Sequence, residues 1–226
     1  MTTSGTTTFA LSNASITLAA YSRIQIRRPM LLAEHMTDAY NELNLMLGSW
    51  SNVAPNLWTV DLQTITLVAG TTTYSVPADT IMIMDMFRNV VAGNDQLMFP
   101  ISRTDYASYT DKTVQGIPTV FWFDRLVAPT VTLWQVPDGT IPTVQYYRCV
   151  QIQDANLANG ETPQVQRRFL DAMVADLAHR LARIWKPELE AARMADAEKA
   201  WNKAATADVE NVDLVIAPMI GSFFYP

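Results

Sequence analysis

The chain has 226 residues, 49% of them hydrophobic and 17% charged, with a formal net charge of −6. That is long enough to bury a core, and the acidic balance argues against non-specific nucleic-acid or anionic-membrane binding as the main task. A single cysteine, Cys149, excludes an intrachain disulfide and a zinc thiolate cluster, and two histidines, His35 and His179, make a histidine-rich metal site a poor reading. Low charge combined with six tryptophans points to a surface that meets other protein chains.

Residues 1–11 begin threonine-rich and uncharged and read as a flexible arm, with no signal peptide expected. No apolar run approaches the roughly 20 residues that span a bilayer, so a chain made in a reducing cytosol is expected. Ser12 or Asn13 can cap a short helix carrying Ile16, Ala19, Ala20, Arg23 and Ile24, ending near Arg27-Arg28-Pro29. Pro29 is then expected to open a longer helix with Leu32, Met36, Ala39, Tyr40, Leu43, Met46, Leu47 and Trp50 on one side, stopping at Ser51 to Pro55.

From Leu57 to Val68 the period changes to alternation, the mark of a half-buried strand. Further strands are predicted at Thr73–Val76, Thr80–Val91, Leu97–Ile101, Thr119–Arg125, Thr130–Val136 and Thr143–Ile152, divided by Gly, Pro and Asp turns. Ser102 and Asp105 resemble a capping box for one helical turn through Tyr109. Short strands at this spacing point to a small antiparallel sandwich or barrel.

Thr162 is a plausible N-cap and Pro163 a plausible first residue for a helix whose apolar face is Val165, Phe169, Ala172, Met173, Leu177, Leu181 and Ile184. Lys186-Pro187 stops it and starts another, whose stripe of Leu189, Ala191, Met194, Ala197, Trp201 and Ala204 is too thin to be a core by itself. The expected fold is therefore α+β: a helical bundle made from N- and C-terminal helix pairs (12–55 and 161–208), an inserted antiparallel β domain (56–153) and an extended C-terminal tail (209–226).

That tail carries Val212, Leu214, Ile216, Met219, Phe223, Phe224 and Tyr225 among Pro218, Gly221 and Pro226. It is too apolar for solvent and too interrupted for a helix. It can dock on a neighbouring chain, lie along a sheet edge, or pack back on its own domain.

Catalytic templates are missing: no Gly-x-Ser-x-Gly, no phosphate-binding Gly-Lys-Ser/Thr loop, no His-Glu-x-x-His. His35 and His179 read as solvated or capping residues, and Cys149 as a packed strand residue. No spacing selects a carboxylate pair from Asp79, Asp85 and Asp105. No catalytic residue, metal or cofactor is expected. Arg23, Arg27 and Arg28 concentrate positive charge; they either face a phosphate backbone or an acidic protein patch, or complement a helix end. Arg167, Arg168, Arg180 and Arg183 carry the same ambiguity.

Several phrases together resemble one family. Arg23 to Pro29, Glu42 to Asn52 with Asn56-Leu57-Trp58, Ile65 to Tyr74 followed by Val76-Pro77-Ala78-Asp79, Ile117 to Phe123 and Val131 to Pro137 are similar to segments of head-to-tail adaptor proteins of short-tailed bacteriophages, of the packaged-DNA stabilisation or tail tubular type. The likeness covers about residues 10 to 205 and rests on structural phrases, not catalytic motifs.

The resemblance implies a ring, usually of about twelve copies, under the portal protein, with double-stranded DNA passing through its channel. It also implies a C-terminal tail docked on the portal, a β segment facing the tail nozzle and tail fibres, and residence in the virion after assembly in the host cytoplasm, with no membrane. The β segment here is larger than in the smallest relatives, which leaves its partner open. Two other readings stand beside this one. A virion-associated cell-wall hydrolase would need an acidic pair in the β segment, and a β-sandwich receptor- or glycan-binding module would need Trp58, Trp122 or Trp134 in one groove.

Overall fold

The computed structural model describes residues 3–53, 57–91, 94–158 and 160–206. The protein is α+β, with five α-helices and a curled mixed sheet of seven strands among the described residues. Its buried side chains fall into two clusters, one helical and one inside the sheet.

Helix α1 (Asn13–Arg23) starts where Ser12 accepts the Ser15 N–H. It ends earlier than Arg27-Arg28-Pro29, because Gln25 takes a left-handed backbone (φ 66°) and turns the chain. The N–H groups of Ile24 and Ile26 both return to the Tyr21 carbonyl, and both isoleucines are buried. Pro29 does not open the next helix. It sits in a single 3-10 turn, Arg28–Met30, and α2 (Ala33–Val53) begins after His35 Nδ1 accepts the Leu32 N–H at 3.1 Å. Tyr21 is buried, and its hydroxyl donates to the His35 carbonyl, tying α1 to the first turn of α2. Burial, with the charge of Asp38 behind it, pushes the Tyr21 hydroxyl pKa well up, so it stays a donor. Tyr21→Phe is expected to cost about 1 kcal/mol of stability, read by urea denaturation.

The C-terminal helices differ from expectation at their start. Thr162 and Pro163 lie outside any helix; a 3-10 turn, Arg167–Phe169, leads into α4 (Leu170–Trp185). The reason is tertiary. The Glu161 carbonyl accepts the Asn13 N–H, the Gln164 carbonyl accepts Trp58 Nε1, and Gln164 Oε1 accepts the Gln153 N–H. Lys186 ends α4, and Pro187 opens a 3-10 turn leading into α5 (Glu190–Ala205). Helix α4 touches α1, α2 and α5, and its Ala172, Met173, Leu177, Ala178 and Leu181 are almost wholly enclosed. Within α5 itself, by contrast, the buried residues are Ala197 and Ala204.

The strands are β1 (Val60–Thr66), β2 (Thr73–Ser75), β3 (Thr80–Val91), β4 (Asn94–Pro100), β6 (Val120–Asp124), β7 (Thr130–Trp134) and β9 (Thr143–Val150), in the order β1-β9-β3-β4-β6-β7-β2. Two short strands, β5 (Gln115–Gly116) and β8 (Val136–Pro137), pair separately. The two edge strands β1 and β2 are consecutive in the chain, joined by residues 67–72, so the sheet has to curl to bring its edges round. Ile65, Met86, Met98, Phe121, Leu133, Val144 and Tyr146 fill the inside of the curl.

The expected antiparallel β domain needs correction. Strands β4 and β6 pair in parallel, as do β5 and β8. A parallel neighbour needs a crossover rather than a hairpin, and the segment between β4 and β6 supplies one, with helix α3 (Arg103–Ser108) in it. Ser102 and Asp105 form the capping box at the start of α3.

Candidate interaction surfaces

The catalytic candidates are built into packing. His35 is buried and stacks on Trp185 with ring centroids 4.0 Å apart; it caps α2 and is not solvated. His179 is also largely covered, among Asp176, Arg183 and Glu190. Cys149 is buried beside the Thr59 hydroxyl at 3.4 Å. No group of three or more His, Cys, Asp or Glu among the described residues could hold a metal ion. Two β-segment carboxylates, Asp61 and Asp79, meet at Arg148. The Gln63 amide donates to Asp61 and, with Arg148, outweighs partial desolvation to hold its carboxyl below the usual range. A general acid needs the opposite shift.

Trp58 stands apart from the two sheet tryptophans, which lie on one face of β6 and β7. Trp58 packs on Phe169 in the helical cluster. Trp134 stacks on Tyr109 at 4.4 Å and Trp122 on Tyr106 at 5.6 Å, so tyrosines of α3 and the residue after it lie over the two sheet tryptophans.

The three arginines part company. Arg23 pairs with Asp171 on α4 at 2.6 Å, a partner 148 positions away that sequence reading could not see. Arg27 and Arg28 are exposed on the link between α1 and α2, beside exposed Met30 and Leu32, and make no ion pair among the described residues. Arg180 lies between Asp176 (3.5 Å) and Glu42 (3.7 Å), and Arg183 pairs with Glu190 at 3.1 Å. Arg167 donates to the Thr7 carbonyl and lies over the Phe9 ring, which ties down part of the N-terminal arm. The guanidinium of Arg168 lies over the Phe169 ring. The tail residues Val212, Leu214, Ile216, Met219, Phe223, Phe224 and Tyr225 lie outside the described residues.

What sequence reading missed is apolar surface on the β segment. Leu62 pairs in register with Tyr147, and Phe87 with Leu97, while the Phe87 and Tyr147 rings stand 5.9 Å apart. These residues make a stripe across β1, β9, β3 and β4 on the outer face, continued by Phe99, which is 63% exposed. At the tip of the β6–β7 hairpin Val127 is 99% exposed. On the helical side, an open groove of about 910 Å³ runs between α2 and the ends of the sheet, lined in part by Tyr40, Asn44, Leu45, Gly48, Ile81 and Gln151. The groove is lined mostly by polar side chains, whereas the stripe and the hairpin tip are exposed apolar surface, the mark of protein–protein contact. Period-two apolar residues at 97 and 99 were the available signal, but alternation alone does not say which face is the inside.

A chain with two hydrophobic clusters, uncovered apolar side chains on its β segment, and both histidines and its cysteine packed away is built for contact with other proteins. The family model described as SU10 adaptor protein matches residues 7–218, reaching across both helical ends and the whole β segment. The chain belongs to this family of bacteriophage head–tail adaptors. It is accordingly a structural component of the phage virion, in contact with other virion proteins. Comparison with the curated proteins finds no match. Among the described residues no helix is long and apolar enough to cross a membrane.

Proposed function

We propose that copies of this chain close into a ring, of about twelve subunits, that joins the portal to the tail, extends the DNA channel and helps to retain packaged DNA. The observation that carries this reading is the family match over residues 7–218. The helical part, 12–55 with 161–208, forms the ring wall. The β segment, 56–153, faces the nozzle and fibres with its apolar stripe and its Val127 hairpin tip. A closed ring needs two unlike patches per subunit in heterologous contact, and the α2 groove and the exposed apolar side chains on the helices offer them. The net charge of −6 suits a channel through which DNA slides without sticking.

In this reading the tail from Val209 on docks on the portal through Val212, Leu214, Ile216, Met219, Phe223, Phe224 and Tyr225. Arg27 and Arg28 face either the portal or the DNA backbone, with Arg23 held to a supporting role by Asp171. Many weak tail contacts acting together would resist the outward push of packaged DNA. Limited proteolysis tests the docking. Cleavage after residue 209 is expected to slow at least tenfold when purified portal is added, and equal cleavage with and without portal contradicts it.

A further inference from the structure

Leu62, Tyr147 and Asp85 stand side by side in one row across β1, β9 and β3, and Gln145, Phe87 and Leu97 form the next row across β9, β3 and β4. Asp85 therefore lies within the apolar stripe, beside Tyr147 across the strands and two residues from Phe87 along its own. It is exposed, and among the described residues it makes no hydrogen bond or ion pair. Farther out on the same face, Asp95 stands exposed opposite Asn89.

The basic residues of these four strands are Arg88 and Arg148, and both are committed elsewhere. Arg88 donates to the Pro118 carbonyl and to Gln96, and Arg148 is buried between Asp61 and Asp79. The stripe thus joins apolar side chains to charge of one sign. A protein that covers it takes Asp85 out of water, and a carboxylate left unpaired in a buried contact is strongly unfavourable. The covering surface has to bring a cation to that point.

The neighbouring rings select which cation. Phe87 and Tyr147 have their centroids 5.9 Å apart, on either side of the carboxylate in strand register. An arginine lays its flat guanidinium on an aromatic face while its N–H groups meet a carboxylate, and it sheds water more readily than a lysine ammonium. Apolar side chains flanking that arginine would rest on Leu62, Leu97 and Phe99, which are exposed.

We propose that the stripe is the seat of the tail nozzle, and that the nozzle docks there with an arginine, flanked by apolar side chains, paired to Asp85. This rests on the reading that the β segment faces the nozzle.

The test passes purified nozzle protein of the same phage over the full chain immobilised on a sensor, at about 50 and about 300 mM NaCl. Asp85→Asn is expected to weaken binding at least about tenfold at the lower salt and to remove most of the salt dependence, and Asp85→Arg to weaken it at least about a hundredfold. Asp85 is exposed and unpaired, so both variants are expected to keep the wild-type urea midpoint. Asp85→Asn binding like wild type, wild-type binding indifferent to salt, or no binding of nozzle to the wild-type chain overturns the proposal. A free chain that self-associates until Asp85 is changed would put a second copy on the stripe, and also overturns it. The ring reading fails separately. A ring on the portal with nozzle binding indifferent to Asp85 removes the Asp85 pairing alone, whereas Asp85-dependent nozzle binding without a ring on the portal removes the ring alone.

Discussion

Phe169→Ala is expected to destabilise the protein by about 3–5 kcal/mol, more than any substitution on the helix surfaces. Phe169 is 1% exposed on the 3-10 turn before α4. Its ring meets Trp50 of α2 (6.2 Å), Trp58 on the approach to β1 (4.6 Å) and Trp201 of α5 (5.6 Å). Trp50 is fixed in turn by donating to Asp176 of α4 at 2.9 Å. Truncation leaves a cavity bounded by three large rings, each held by its own backbone, so the site cannot collapse to fill it. Ile184→Ala, on the last turn of α4 but 46% exposed, should cost less than about 1 kcal/mol. Urea denaturation of the two variants checks the contrast, and equal losses would show that the aromatic cluster is not what joins the helices.

Arg148→Ala is expected to cost about 2–3 kcal/mol, somewhat less than the loss from breaking a wholly enclosed ion pair. Arg148 is buried on β9, the strand between β1 and β3. Its guanidinium reaches Asp61 on β1 (3.2 Å), Asp79 in the turn before β3 (2.5 Å) and the Thr80 hydroxyl (2.9 Å), pinning three neighbouring strands. Burial pulls its pKa down, but the bonds to and charges of Asp79 and Asp61 outweigh this and carry it up, so the group stays charged. The two carboxylates are about half exposed, so water recovers part of what they lose. Arg148→Met keeps the packing of the stem and should recover part of the loss.

The same cluster sets a pH dependence. Asp61 has a lower pKa folded than unfolded, chiefly through Gln63 and then Arg148, against partial desolvation. Its contribution is therefore complete above the unfolded value of about 4 and is lost as pH falls through the folded one. Stability measured below about pH 4 should fall less steeply in Gln63→Leu than in wild type.

Much of the fold was legible because it is local. The three- and four-residue spacing from Phe169 to Leu181 marks the buried face of α4, the alternation from Thr80 to Val91 coincides with β3, and Ser102 with Asp105 makes the capping box. The errors lie where distant groups decide. Thr162-Pro163 has helix-start chemistry, yet its neighbours Glu161 and Gln164 give their carbonyls to Asn13 and Trp58. The direction of β6 against β4 depends on how the crossover between them folds back, which no residue between them announces. The interaction surfaces were harder still. Three nearby arginines looked equivalent until Asp171 claimed one of them, and the stripe of Leu62, Tyr147, Phe87 and Leu97 exists only once four strands are in register.

Electron microscopy of the purified chain mixed with purified portal tests the central claim most directly. The adaptor reading predicts a closed ring of added density coaxial with the portal, its inner wall helical and its β segments outward. Portal particles unchanged by excess chain, or chain bound off the axis without closing a ring, would contradict it.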